Sequence, residues 1–101
     1  MSNFVRVAAT SEVPLGQGKV VIAGGRQIAL FNVGGTIYAT DNTCLHRGGP
    51  LGEGFLEGPI VTCPWHGWTY DVTTGVCPAN PNVAVKTFPV RVEGSEIQVD
   101  L

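Results

Sequence analysis

Along most of the chain, apolar and polar residues alternate in short runs separated by turn residues. FVRVA (4–8), KVVIA (19–23), RQIALFNV (26–33) and TIYAT (36–40) are rich in Val, Ile, Phe and Thr, which suit a pleated, half-buried surface. Gly24-Gly25 and Gly34-Gly35 lie between consecutive runs, where a hairpin turn needs positive φ. The C-terminal part repeats the pattern in AVKTF (84–88), PVRVE (89–93) and, after Gly94-Ser95, EIQVDL (96–101). Val90 and Val92 alternate with Arg91 and Glu93, and Ile97, Val99 and Leu101 alternate with Gln98 and Asp100. That period of two predicts half-buried strands. No stretch carries a helical period of useful length. PLGEGFLEG (50–58) has room for one short turn, but its three glycines oppose a helix. The pattern predicts an all-β chain.

Residues 41–71 interrupt this regularity. They hold both histidines, two of the three cysteines, both tryptophans and a high share of Gly and Pro. Strand patterns flank them on both sides. The expected organisation is a single domain, 1–101, with base strands over about 1–40 and 72–101 and a small insert over about 41–71. At 101 residues the chain is one domain by length, and 44% apolar against 14% charged residues marks a folded chain.

A formal charge of −2 provides no basic stripe, which argues against nucleic acid as a partner. No apolar run approaches the ~20 residues of a membrane span. The opening segment MSNFVRVAATSEVPLG lacks the basic start and long apolar stretch of a secretory signal. Three cysteines are not fully paired by internal disulfides. These features lead us to expect a soluble protein of the reducing cytoplasm.

The chemistry is concentrated in two tight pairs. Cys44-Leu45-His46 and Cys63-Pro64-Trp65-His66 form C-x-H, sixteen residues, then C-x-x-H. Thiolate and imidazole are ligands for zinc and iron, and one or two intervening residues let two side chains of one loop converge on a common centre. Gly48, Gly49, Pro50, Pro64 and Gly67 suit loops that fold close around such a centre. Zinc sites normally group like ligands together, whereas each loop here carries one of each kind. A two-iron centre with two imidazoles on one iron fits a mixed pair on each loop. A mononuclear Cys2His2 zinc site, with the chain as an interaction domain, is left open by spacing alone.

The boxes CLHRGG and CPWHGWTYD, with ATDNTC before the first and TYDVTTG after the second, resemble those of Rieske [2Fe–2S] proteins. The resemblance is dense over residues 39–76. It implies an antiparallel β-sandwich base with an inserted cluster-binding subdomain and one [2Fe–2S] cluster per chain. Cys44 and Cys63 would hold the inner iron, and His46 and His66 the outer one.

High-potential members carry an extra cysteine in each loop, joined as a disulfide; Gly49 and Trp65 stand at those positions here. Trp68 stands where those members commonly carry a serine donor to sulfur, and Tyr70 matches a tyrosine that often bonds a cysteine sulfur. Fewer donors to sulfur lower the potential, so the expectation is on the order of −150 to 0 mV. This resembles the ferredoxins of bacterial oxygenases and the small subunits of assimilatory nitrite reductase.

With both histidines engaged, no ligand set remains for a second, mononuclear iron. Ser2, Ser11 and Ser95 have no free His to activate them, which excludes a hydrolase triad. The expected role is therefore electron carrier and not enzyme. Single electrons would pass from an NAD(P)H-dependent flavoprotein reductase to an oxygenase, with a nitrite reductase large subunit as the alternative partner. Docking is expected over Leu45, His46, Arg47, Pro64, Trp65 and His66, a nearly uncharged tip suited to brief contacts. Ligated imidazoles should ionise more readily in the oxidised state, so the potential should fall at alkaline pH.

Cys77 lies outside the ligand pattern and is expected to be a partly buried bystander thiol. Trp65 suits either docking or shielding, and Trp68 and Tyr70 suit core packing on a strand. Glu53 and Glu57 should be solvated. Nothing requires more than a monomer.

Overall fold

The computed structural model describes residues 4–43, 49–65 and 67–101. Its strands are β1 (Phe4–Ala9), β2 (Gly18–Ala23), β3 (Arg26–Val33), β4 (Thr36–Asp41), β5 (Phe55–Glu57), β6 (Ile60–Thr62), β7 (Thr69–Asp71), β8 (Val76–Cys77), β9 (Asn80–Ala84), β10 (Thr87–Phe88), β11 (Val90–Glu93) and β12 (Glu96–Asp100). Two three-residue 3-10 turns, Thr10–Glu12 and Leu51–Glu53, complete the described elements. The second falls where the sequence allowed one short turn.

All described pairings are antiparallel, in sheets ordered β1-β12-β11, β10-β4-β3-β2, β5-β6-β7 and β8-β9. The hairpins β2–β3 and β3–β4 turn on Gly24-Gly25 and Gly34-Gly35, whose φ values are 58° and 74°, and 60° and 96°. A Cβ would be strained in that left-handed region, which is why glycine closes these turns.

The first two sheets form the sandwich. Ala8 of β1 and Ile97 and Val99 of β12 face Val21 and Ala23 of β2, Ile28 and Leu30 of β3, Ile37 and Ala39 of β4 and Phe88 of β10. The register places Leu30 opposite Ala39, and a slip of one residue would turn every inward side chain outward.

Strand β3 also has a second buried face. Ala29 and Phe31, both 0% exposed, pack with Leu51, Val61, Cys63, Tyr70, Val72, Cys77 and Val85. This double burial explains why Ile28-Ala29-Leu30-Phe31 is continuously apolar while its neighbours alternate. One strand thus carries the sandwich core on one side and the core beneath the Cys63 loop on the other.

Three strand expectations need correction. AVKTF is not one strand: β9 ends at Ala84 and β10 begins at Thr87. The chain there passes between cores, with Val85 in the second and Phe88 in the first. The Val85 N–H donates to the Gly75 carbonyl at 2.8 Å, and the Lys86 carbonyl accepts the Asp41 N–H at 2.8 Å. Val92, on the edge strand β11, is exposed, and Leu101 lies exposed beyond β12. Trp68 precedes β7 instead of lying within it.

Candidate metal centre

Asn42 ties together the two ends of the segment that contains the first Cys–His pair. It is one of two buried polar residues among those described, at 3% exposure. Its carbonyl accepts the Leu51 N–H at 2.7 Å, and its side-chain Oδ1 accepts the Gly52 N–H at 2.8 Å. Its Nδ2 donates to Gln27 Oε1 at 3.2 Å, anchoring the clip to β3. Asp41 Oδ1 accepts the Thr43 N–H at 3.0 Å, and Thr43 and Pro50 form an antiparallel bridge just outside the pair. Gly52 is small of necessity, since a Cβ there would stand 2.6 Å from Val20 Cγ2.

Cys63, of the second pair, lies on the hairpin β6–β7. Val61 opposes Tyr70, both fully buried, and Thr62 opposes Thr69. The ladder then extends by one bond, as the Cys63 N–H donates to the Trp68 carbonyl at 2.7 Å. Gly67, at φ 76°, supplies the reversal. Cys63 is 1% exposed and its Sγ accepts the Trp65 N–H at 3.4 Å. A backbone donor aimed at a buried sulfur favours its thiolate form.

Beyond the hairpin, TYDVTTG forms a tight turn. Asp71 Oδ1 accepts both the Thr73 N–H, at 2.9 Å, and the Thr73 hydroxyl, at 2.6 Å. The Asp71 carbonyl accepts the Gly75 N–H at 2.6 Å. This returns the chain to Cys77 and Val85 beneath the hairpin.

The two loop regions meet at Gly49. A Cβ built there would lie 2.7 Å from Cys63 Sγ, 3.0 Å from Trp65 Cγ and 3.1 Å from Trp65 Cβ. The backbone of the first region therefore approaches the Cys63 sulfur as closely as a residue without a side chain permits.

Of the four expected ligands, Cys63 is described, and Cys44, His46 and His66 lie outside the described residues, as do Leu45 and Arg47. Trp65 is half exposed and Pro64 is exposed; Tyr70 is fully buried, and Trp68 packs partly buried against the second core. Cys77 is a free thiol buried in that core, and Glu53 and Glu57 are exposed. The Asn42 clip escaped the sequence reading, whereas Gly49 stands among the glycines expected to let the loops fold close. Asn42 sits inside the quoted ATDNTC, but its partners are ten and fifteen residues away, at Gly52 and Gln27.

The buried sulfur, the N–H aimed at it and the space left by Gly49 suit a thiolate ligand to iron. The chain belongs to the Rieske family: the Rieske [2Fe-2S] domain model matches residues 3–89. It carries a Rieske-type [2Fe–2S] cluster. Over 102 residues it is 41% identical to the ferredoxin component of a naphthalene 1,2-dioxygenase system from Pseudomonas aeruginosa, covering 98% of this chain and 96% of that one. Among solved structures it is similar to the Sphingomonas yanoikuyae B1 ferredoxin, with TM-score 0.87, 31% identity, and 98% and 99% of the two chains covered. It is also similar to a chain in the complex of reduced oxygenase and oxidized ferredoxin in carbazole 1,9a-dioxygenase. There the TM-score is 0.86, the identity 33%, and 99% and 94% of the chains are covered.

The chain is an electron carrier of the ferredoxin type and not itself a catalyst. No helix among the described residues is long and apolar enough to cross a membrane.

Proposed function

We propose that this ferredoxin passes single electrons from an NAD(P)H-dependent flavoprotein reductase to the terminal oxygenase of a dioxygenase system in the cytoplasm. The supporting observation is the end-to-end likeness to dioxygenase ferredoxin components, 98% of this chain against 96% of the relative. That likeness favours an oxygenase over a nitrite reductase large subunit as the acceptor. Cys44, His46, Cys63 and His66 are the ligands in this reading, with Cys63 the inner thiolate. One domain spans 1–101, with base strands over about 1–40 and 72–101 and the cluster-binding insert over about 41–71.

When bound, the cluster takes up and releases one electron at a time. The residues around it do four things. Asn42 and the Thr43–Pro50 bridge fix the ends of the first loop. The Cys63–Trp68 bond fixes the second, and the Trp65 N–H stabilises negative charge on the Cys63 sulfur. Pro64 and Trp65, exposed on the second loop, belong to the docking tip.

The test is reconstitution. A dioxygenase reductase, NADH and a Rieske oxygenase should turn over only when this chain is added, and the Cys63→Ser variant should not support turnover. Equal turnover with and without the chain would refute the proposed route.

A further inference from the structure

We propose that Trp65 is a positioning residue that seals the junction between the two cluster loops, a role distinct from docking. The inference rests on Cys63 being a cluster ligand and deepens that reading. Cys63 Sγ and Trp65 Cβ and Cγ crowd onto Gly49, all within 3.1 Å of the point a Cβ would occupy. No side chain fits at position 49, because the root of the Trp65 indole already takes up the space beside the sulfur.

Trp65 is also held to Cys63 through its own backbone, because its N–H donates to Sγ at 3.4 Å. The residue is fixed at the junction twice, by its amide and by the root of its indole. Gly49 and Trp65 cannot bond covalently, so packing alone joins the loops at this point. The burial is asymmetric: Cys63 is 1% exposed while Trp65 is 50% exposed. Half of the Trp65 surface is therefore covered at the junction, beside a sulfur that is closed to solvent.

Solvent exposure and hydrogen bonding near cluster sulfurs set the potential and the access of water. Trp65→Ala keeps the backbone N–H and Cβ but removes the indole, opening a space at this junction. Water admitted there stabilises the more negative reduced state, so the potential moves positive and the cluster is lost faster. Phenylalanine at position 65 restores the bulk without the indole N–H.

The experiment compares wild type, Trp65→Ala and Trp65→Phe by voltammetry and by the half-life of visible absorbance in air. The expected result is a positive shift and a several-fold shorter half-life for Trp65→Ala, with Trp65→Phe close to wild type. A Trp65→Ala protein that cannot be loaded, beside a normally loaded Trp65→Phe, supports the seal equally. Wild-type potential and half-life in Trp65→Ala, with only the coupling to the oxygenase weakened, would overturn the seal and leave docking. Equal defects in both variants would overturn it as well. A Cys63→Ser variant that keeps its full iron content would instead remove the ligand reading, and the seal with it.

Discussion

Asn42 Oδ1 accepts the Gly52 N–H at 2.8 Å, while the Asn42 carbonyl accepts the Leu51 N–H at 2.7 Å. One buried residue thereby closes the segment 44–49 from both ends, and Gln27 holds it to the sandwich. Rigid loop ends matter in an electron carrier because they hold the ligand loops in a fixed geometry as charge arrives and leaves.

Asn42→Ala should leave the Gly52 N–H without its buried acceptor, at a cost of about 1–3 kcal/mol. In a chain of about 100 residues each kcal/mol corresponds to a fall in Tm of roughly 4–8 °C. Thermal unfolding checks the stability loss, and iron content should fall in parallel if the clip positions the first loop.

Gly49→Ala should load its cluster poorly, since the methyl would stand 2.7 Å from Cys63 Sγ. Gly25→Ala is the control: its φ is 74°, and nothing lies within 4 Å of the added Cβ. It should cost only the local strain, about 1–2 kcal/mol, and retain full iron content. Iron per chain separates the two.

Gly75→Ala should be among the most damaging glycine substitutions. The residue has φ 84°, and its Cβ would collide with the Val85 carbonyl oxygen, a backbone atom that cannot swing aside. Strain and overpacking together should exceed about 2 kcal/mol by denaturant unfolding.

Cys77→Ala should keep two irons per chain and lose only packing, on the order of 1 kcal/mol, because Cys77 is a buried free thiol in the second core. Ser at Cys44 or Cys63, or Ala at His46 or His66, should remove the native centre. Iron analysis with the visible spectrum distinguishes the ligands from the bystander.

Much of this was legible in the chain because the signals were local. Arg26–Val33 and the glycine pairs that turn β2 into β3 and β3 into β4 stand where alternation and turn chemistry put them. The paired Cys–His boxes pointed to an iron or zinc centre through their residue types, and their resemblance to the Rieske boxes implied the cluster. The parts that escaped depend on distant partners. The apolar run Ile28–Phe31 reads as a strand, but only the second core shows why both faces are apolar. AVKTF has strand composition, yet Val85 and Phe88 are drawn into different cores and the ladder breaks between them. Asn42 looks like an ordinary turn residue until Gly52 and Gln27 are placed beside it.

Protein-film voltammetry on anaerobically purified protein at neutral pH tests the central claim most directly. A reversible one-electron wave on the order of −150 to 0 mV is predicted for a Rieske centre whose two loops meet at Gly49 and Trp65 with no disulfide between those positions. A wave several hundred millivolts higher would contradict the assignment to the low-potential carriers. No wave, with zinc bound in place of iron, would contradict electron transfer altogether.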